Sequence, residues 1–289
     1  MTVSVLVPSS LAREAEDKRE ATRKLGIVAR AATVFRVDRL TVYPDPDGEV
    51  HYSDGFVETV LRYAATPPEL RKGLWDERDE LAYAGVLPPL RLRSQTGSGS
   101  DDSGSLRQGI VTNAESDGRV RVNCGLQHPI SLPVPDGLEL QKGERVSVRV
   151  SSREPVRAKL VGRPAGYTVD SSDLERAVSR SDAGLTIAAS RHGELLRPGR
   201  LTDLADQCRQ TATGEADTDE SQFTYTVAFG APERGLPAIL GFDPDEVRGD
   251  QAETGGFDLW LNTVPNQGSE VVRTEEAVWT TLGCLNLTE

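Results

Sequence analysis

The spacing of hydrophobic residues in the first third of the chain is typical of a β-α-β unit. Residues 3–8 form a near-continuous apolar run, which predicts a buried strand. Over residues 16–35 the apolar positions recur every three or four residues, which predicts a helix. Residues 40–43 form a second strand, and this order predicts a parallel sheet. A second helix is expected over residues 56–65, followed by a connector over residues 69–93.

The pattern changes after Leu106 to short runs of alternating or β-rich residues. Turn pairs such as Asp117-Gly118 and Lys142-Gly143 separate these runs. Five short strands of this kind predict a small β-barrel such as an OB-fold. Residues 94–105, rich in Gly, Ser and Asp, are expected to form a flexible linker before it. The five runs are residues 109–113, 119–124, 129–133, 144–151 and 156–161.

The α/β pattern returns at Tyr167 and continues to the end of the chain. It predicts helices over residues 172–180 and 201–209 and three further strands. Each strand leads into a loop of small or polar residues, and neighbouring carboxyl ends of a parallel sheet meet at one crevice. The three loops therefore predict one small-molecule site. The strands are residues 185–189, 223–229 and 257–261, and the loops are residues 190–193, 230–235 and 262–268.

A last helix is predicted over residues 274–287, because apolar residues again recur at three and four positions. Thr274 is the expected N-cap. Glu275 and Glu276 would then lie in the first turn, where the helix dipole favours negative charge.

Several common sites are excluded by their missing motifs. The chain has no GxxxxGK[ST], no GxGxxG after a strand and no GxSxG, which argues against a P-loop, a dinucleotide-binding fold and an α/β-hydrolase. Its three cysteines and three histidines are widely spaced, which argues against a metal site and indicates a reducing cytoplasm. No apolar run reaches the length of a membrane span, and the N-terminal residues do not resemble a secretory signal.

The charge balance is acidic, with 45 Asp and Glu against 33 Lys and Arg and a net charge of −12. Five of the 33 basic residues are Lys, which leaves 28 Arg. Abundant carboxylates with little Lys favour a halophilic archaeal source over an ordinary acidic cytosolic protein, although high genomic GC content would also enrich Arg. The predicted β-barrel is locally basic, and it is either a nucleic-acid-binding module or a β-domain whose outward positions happen to be Arg. The two alternatives remain open because the strands lack stacking aromatics.

Short strings along nearly the whole chain resemble the SPOUT, or α/β-knot, RNA methyltransferases. More narrowly, the chain resembles an archaeal and eukaryotic branch of these enzymes that carries an inserted OB-like domain. The string at residues 262–277 is the most specific of those that match. The strings are residues 6–10 (LVPSS), 26–32 (GIVARAA), 35–38 (FRVD), 70–72 (LRK), 84–87 (AGVL), 107–111 (RQGIV), 122–125 (VNCG), 166–169 (GYTV) and 262–277 (NTVPNQGSEVVRTEEA).

This resemblance implies an α/β fold with a trefoil-knotted parallel sheet, in which the final helix threads the preceding loop. It implies a knotted methyltransferase domain at residues 1–93 and 164–289 and an OB-like insert at residues 106–163. It further implies a cytoplasmic homodimer that binds S-adenosylmethionine close to the dimer interface.

The resemblance also implies roles for particular residues. Arg30 resembles, by its place in the string at residues 26–32, an arginine of the ribose-methylating branch that helps to activate the attacking oxygen or positions a phosphate; the alternative is a surface ion-pair residue. Glu233 lies one position later than the glutamate of that branch, which weakens the case for a ribose target. RNA contacts are expected from Arg119, Arg121, Arg145 and Arg149. Cofactor contacts are expected from Ser190, Arg191, Gly193, Gly230, Ala231, Leu236, Asn262, Thr263, Val264, Pro265, Asn266, Gln267, Gly268 and Thr274.

The sequence therefore favours an S-adenosylmethionine-dependent methyltransferase whose partner is RNA. Ribosomal RNA, at a base nitrogen of uridine, is the substrate that the eukaryotic relatives suggest. A non-catalytic, RNA-binding knot dimer and an assembly factor are the alternatives.

Overall fold

The described part of the chain forms eleven strands and seven α-helices. The residues that the computed structural model describes are 2–48, 52, 55–90, 105–114, 118–135, 140–153, 156–161, 166–210, 224–245, 247 and 254–286. The strands are β1 (Thr2–Pro8), β2 (Arg39–Tyr43), β3 (Ser105–Ala114), β4 (Arg119–Asn123), β5 (Ile130–Pro133), β6 (Arg145–Arg153), β7 (Val156–Leu160), β8 (Thr168–Ser171), β9 (Leu185–Leu195), β10 (Thr224–Phe229) and β11 (Leu259–Asn262). The helices are α1 (Lys18–Val34), α2 (Phe56–Ala65), α3 (Pro68–Leu74), α4 (Leu174–Val178), α5 (Pro198–Gln210), α6 (Leu236–Leu240) and α7 (Thr274–Leu285).

Contacts divide the chain into two units. The first contains residues up to Ala64, Asp79–Pro89 and the chain from Tyr167 onward, and the second contains Ala65–Arg78 and Leu90–Gly166. Helix α3 therefore belongs with the second unit, although the sequence indicated only a connector there. Residues 94–104 of the predicted linker lie outside the described residues.

The first unit is built on a six-stranded parallel sheet in the order β11-β9-β10-β1-β2-β8. The predicted β1-α1-β2 unit is confirmed, and Asp17 caps α1 by accepting a hydrogen bond from the Glu20 amide. The central strands are almost fully buried because both faces of a parallel sheet are covered. Strand β8 at the edge was not predicted, since its four residues alternate too briefly to give a pattern.

The loop predicted at residues 190–193 is wrong, because β9 continues through it to Leu195. Trp260 of β11 pairs with Ala188, and the next residue, Leu261, pairs with Glu194. The intervening residues of β9 therefore bulge relative to β11 while the strand itself continues. The close approach of β9 to β11 at this bulge requires a glycine at position 193, because a Cβ atom there would lie 2.5 Å from the backbone of Trp260 and Leu261.

The second unit contains the five predicted strands as one antiparallel sheet in the order β5-β4-β3-β6-β7. Its end strands β5 and β7 approach each other, so the sheet is a nearly closed barrel. Alternate residues of β4 and β6, such as Val120, Val122 and Val148, fill the interior. The outward positions carry the arginines that made this segment basic.

None of the helices in the described residues is long and apolar enough to cross a bilayer. Those residues also contain no group of three or more His, Cys, Asp or Glu side chains arranged to hold a metal ion.

Candidate functional site

A cleft of about 220 Å³ opens in the first unit at the carboxyl ends of β10 and β11 and at the bulged part of β9, residues 189–192. Each of these three neighbouring strands supplies one wall at the same edge of the sheet. The first turn of α7 and part of α6 complete the lining. The sequence predicted a site at this place from the three loops.

Nine of the residues expected to contact a cofactor line this cleft: Ser190, Arg191, Gly230, Ala231, Asn262, Thr263, Val264, Gln267 and Thr274. Five others do not line it. Gly193 lies against the backbone of β11, and Leu236 is fully buried at the start of α6. Pro265, Asn266 and Gly268 are exposed positions of the loop after β11.

Three further lining residues, His192, Glu233 and Gly235, belong to the loops from which the site was predicted, although they were not named as cofactor contacts. The other lining residues were missed. Most of them lie around α6 and before α7, where short stretches carry no periodicity and only the path of the chain brings them to the cleft. The missed residues are Ala189, Phe229, Pro237, Ala238, Pro244, Glu270, Val271, Val272 and Ala277.

Asn262 fixes the geometry between two walls of the cleft. Its side-chain nitrogen donates to the carbonyl of Arg191, at 3.0 Å, and its side-chain oxygen accepts from the Val264 amide, at 3.0 Å. The side chain is 8% exposed, and both ends of the amide are used within the protein. The side chain of Asn262 therefore connects the bulged part of β9 to the loop after β11.

Thr274 joins the last helix to the middle wall of the cleft. The expected role as N-cap is wrong: Arg273 is the N-cap residue, and Thr274 is the first residue of α7. Its hydroxyl donates to the Gly230 carbonyl, at 2.8 Å, which ties the first turn of α7 to the loop after β10. The Arg273 amide donates instead to the Glu276 carboxylate, at 2.9 Å.

The loop after β10 is a tight turn held under backbone strain. The Ala231 amide donates to the Arg234 carbonyl, and the Arg234 amide donates back to Ala231. Within this turn Glu233 has φ of 60°, a left-handed conformation that costs roughly 1–2 kcal/mol for a residue with a side chain. The Arg234 guanidinium binds the buried carboxylate of Asp45, at 3.0 Å, which stabilises the turn. Strain of this kind is frequent where a backbone is shaped for a ligand.

The lining of the cleft is mixed in polarity. Val264, Val271, Val272, Pro237 and Ala238 are apolar, while backbone groups of the strand ends lie between them. The charged lining residues are Arg191, Glu233 and Glu270, and the Arg191 guanidinium donates to the ring of His192, at 3.1 Å. Such a surface suits a mostly apolar ligand with several hydrogen-bonding groups.

Arg30 does not line this cleft within its own chain. It is half-buried on α1, between Ile27 and Val34 on the same helix face. The predicted RNA-contacting arginines lie in the second unit. There Arg119 donates to Ser131, at 3.0 Å, and Arg145 donates to the Ala65 carbonyl, at 2.5 Å. Arg121 and Arg149 are exposed.

Glu275, next to Thr274 in the first turn of α7, is 4% exposed. Its Oε2 atom has no hydrogen-bond partner within the residues that the structure covers. Burial raises the pKa of this carboxyl above its usual range, and the nearby Lys24 opposes the shift only in part. Lys24 is itself paired with Glu14 and Glu20, so its charge is already balanced.

Replacing Glu275 with Gln is expected to stabilise the protein at neutral and alkaline pH. The folded state holds the Glu275 proton more tightly than the unfolded state, so wild-type stability falls as pH rises above the unfolded pKa. The variant lacks this loss, and its advantage should reach on the order of 1 kcal/mol at pH 8 and shrink toward pH 4. Denaturant unfolding at both pH values measures it, with the exposed Glu175→Gln as baseline. An advantage that does not change with pH would refute the assignment.

Comparison with known proteins identifies the family. Residues 2–285 match the family described as "Putative RNA methyltransferase". An uncharacterized protein of Haloarcula marismortui is 69% identical over the full length of both chains. The 28S rRNA (uridine-N(3))-methyltransferases of Mus musculus and Homo sapiens are each 27% identical, over 98% of this chain and 76% and 77% of theirs. Because the family match covers almost every residue, the chain belongs to this family of RNA methyltransferases.

Proposed function

We propose that the protein transfers a methyl group from S-adenosylmethionine to a uridine base nitrogen of ribosomal RNA. The observation that carries the proposal is the cleft, formed by three neighbouring strands and the last helix in a chain that matches the RNA methyltransferase family throughout. The mouse and human relatives, named as 28S rRNA (uridine-N(3))-methyltransferases, suggest ribosomal RNA and the N3 position of uridine.

The lining of the cleft fits S-adenosylmethionine. An adenine ring needs apolar walls and hydrogen bonds to its edge, and Val264, Val271 and the backbone near Gly230 offer both. Glu233 and Glu270 offer carboxylates for the positive charges of the methionine part. When bound, this cofactor supplies a methyl group on a sulfonium, which reacts without a metal ion. The protein then has to align the acceptor and remove its proton.

The proposal includes a knotted first unit. Two contacts support it, because they tie the last helix to earlier loops: Thr274 binds the Gly230 carbonyl, and the hydroxyls of Thr263 and Thr281 lie 2.7 Å apart. The sequence placed this methyltransferase domain at residues 1–93 and 164–289 and the insert at residues 106–163. In the structure, Ala65–Arg78 and Leu90–Gly166 group together as the second unit, so the proposed domain is the first unit.

The proposal also includes a homodimer formed through α1 and α7. These helices pack together where Phe35 and Trp279 meet edge to face, at 5.3 Å between ring centroids. Val34 beside them is 43% exposed, and Ile27 and Trp279 are partly exposed. A partly exposed apolar surface of this kind favours burial against a second copy. Arg30 lies on the same surface, so it would reach the cleft of the partner rather than its own.

The basic outer face of the second unit is proposed to bind the RNA backbone. Arg149 on β6 and Lys159 on β7 are directly opposite each other and exposed. Arg121, two residues from Arg119 on β4, adds charge on the outward side of the same sheet. In concentrated salt, attraction acts only over roughly 3 Å at 1 M, so these side chains would bind phosphates by direct contact.

Reversing both charges, in Arg149→Glu with Lys159→Glu, is expected to lower RNA affinity by about tenfold or more and to flatten its dependence on salt. Filter binding to ribosomal RNA over a series of KCl concentrations measures both quantities. The matched control reverses two exposed arginines of the first unit, Arg19 and Arg176, and changes net charge equally. Equal loss in the two double variants would show that total charge, and not this face, controls binding.

Mass-spectrometric mapping of ribosomal RNA in wild-type and deletion strains tests the proposed substrate. The proposal expects one methylated uridine to disappear in the deletion strain and to return with the intact gene. Identical maps, with altered ribosome assembly, would favour the non-catalytic alternative.

A further inference from the structure

A second cavity, of about 90 Å³, lies at the carboxyl edge of the same parallel sheet. Ser9 and Ser10 follow β1, Tyr43 ends β2 and Ser171 ends β8, so three strand ends again converge. The first residues of α2 close the other side. The volume is well above the roughly 10–15 Å³ that a single water requires.

Flat aromatic and small polar groups line this cavity. Tyr52 and Phe56 stack on each other, with ring centroids 4.8 Å apart and an angle of 24° between the rings. The Ser9 hydroxyl accepts from the Asp45 amide, at 2.9 Å, so its own proton can be donated to a ligand. The Ser171 hydroxyl donates to the Val42 carbonyl, at 3.2 Å, so its lone pairs can accept from a ligand. A ligand with a planar ring and both donors and acceptors on its edge matches this lining.

The cavity and the cleft are joined by two hydrogen-bonded links. The Tyr43 hydroxyl, from the cavity, donates to the carbonyl of Phe229, in the cleft, at 2.5 Å. Burial, with a smaller effect from Asp45, raises the pKa of Tyr43 well above its usual range, so this donor keeps its proton. Ser10 donates to Asp45, at 2.5 Å, and Asp45 binds Arg234 of the strained turn beside the cleft. The cavity therefore lies next to the cleft, since β1 and β10 are neighbouring strands of the sheet.

We propose that this cavity binds an unstacked base of the substrate RNA, as a subsite next to the methyl-transfer cleft; the inference rests on the proposed function. An enzyme that modifies a base must act on a nucleotide taken out of the stack. Bases splayed from single-stranded RNA are recognised by aromatic side chains and by hydrogen bonds to their edges. The cavity offers both kinds of contact at the same edge of the sheet as the cleft.

Photo-cross-linking of the wild-type protein tests the site directly. Large-subunit ribosomal RNA transcribed with 4-thiouridine is irradiated with the protein in concentrated KCl, and the linked peptides are sequenced. The inference expects cross-links at Tyr52 or Phe56. Cross-links that fall only on other peptides would overturn it.

The Ser171→Trp variant tests the subsite by blocking its mouth from an exposed position. Methyl transfer to RNA at limiting RNA concentration is expected to fall by about tenfold or more, the range of one lost base-stacking contact, while affinity for S-adenosylmethionine stays unchanged. Thr168→Trp is the matched control, since Thr168 is exposed at the other end of β8 and does not line the cavity. Thermal unfolding of both variants checks that they fold.

The outcomes separate this inference from the proposed function. Normal transfer by Ser171→Trp in a protein that binds S-adenosylmethionine refutes the subsite and leaves the methyltransferase intact. Cross-linking at Tyr52 in a protein that does not bind S-adenosylmethionine supports the subsite and refutes the proposed reaction.

Discussion

Replacing Ala277 with tryptophan is expected to weaken S-adenosylmethionine binding by about 100-fold or more, equivalent to nearly 3 kcal/mol. Ala277 lines the cleft from the first turn of α7, and its small side chain leaves the space there open. An indole at this position would fill much of a cleft of about 220 Å³. Calorimetric titration in the concentrated KCl that suits an acidic protein measures the affinity.

Thr280→Trp provides the control for this experiment. Thr280 lies one turn further along α7, is exposed and does not line the cleft. This variant should bind the cofactor like the wild type, and both variants should unfold at similar temperatures. Wild-type affinity in Ala277→Trp would place the cofactor outside the cleft.

Replacing Arg30 with alanine is expected to lower the rate of methyl transfer by roughly 10²–10⁴-fold, the usual contribution of a group that assists proton removal. Affinity for S-adenosylmethionine should change little, because the proposed role of Arg30 is to act on the RNA acceptor and not to bind the cofactor. Single-turnover transfer of labelled methyl groups to RNA measures the rate, and titration measures the affinity separately.

Arg23→Ala is the matched control, since Arg23 lies two turns away on the same face of α1 and is exposed. It removes the same charge without removing the proposed catalytic group.

Mixing the inactive Arg30→Ala protein with Ala277→Trp adds a second test. If Arg30 serves the partner's cleft, mixed dimers would combine an intact cleft with an intact Arg30 and recover activity. Unchanged transfer in Arg30→Ala would reject its catalytic role.

The sequence predicted the main elements of both units where local patterning determines them. The continuous apolar run of β1 and the helical repeat of α1 each indicate one structure only. The alternating strands of the second unit were predicted for the same reason, because inward valines and outward arginines alternate with a period of two.

The features that the sequence did not predict depend on contacts between residues that are far apart in the chain. The continuation of β9 to Leu195 depends on the resumed pairing with β11 beyond a bulge, and no local residue pattern encodes that partner. Thr274 is a residue type typical of N-caps, but α7 begins at Thr274 itself with Arg273 as the N-cap, and the Thr274 hydroxyl donates to the carbonyl of Gly230, 44 residues away. In both cases the structure contains a tertiary contact that no local pattern encodes.

The sequence predicted only part of the candidate site. An apolar run followed by small and polar residues can be recognised locally, and three such places indicated the three walls of the cleft. Ala238 of α6 and Val272 before α7 are brought in only by the path of the chain. Asn262 lines the cleft as predicted, and the sequence did not show that both ends of its amide also bind the backbone on either side.

The acidic composition agrees with the source of the relative that is 69% identical, since Haloarcula marismortui is a haloarchaeon. Carboxylate excess with little Lys was the feature that predicted such a source. Assays of this protein therefore belong in concentrated KCl.

The central claim is tested most directly by transfer of labelled methyl groups from S-adenosylmethionine to large-subunit ribosomal RNA purified from a deletion strain. The account predicts incorporation of up to one methyl group per RNA, at a uridine base, by the wild-type protein and almost none by Ala277→Trp. Absence of incorporation by a folded wild-type protein, or equal incorporation by Ala277→Trp, would contradict it.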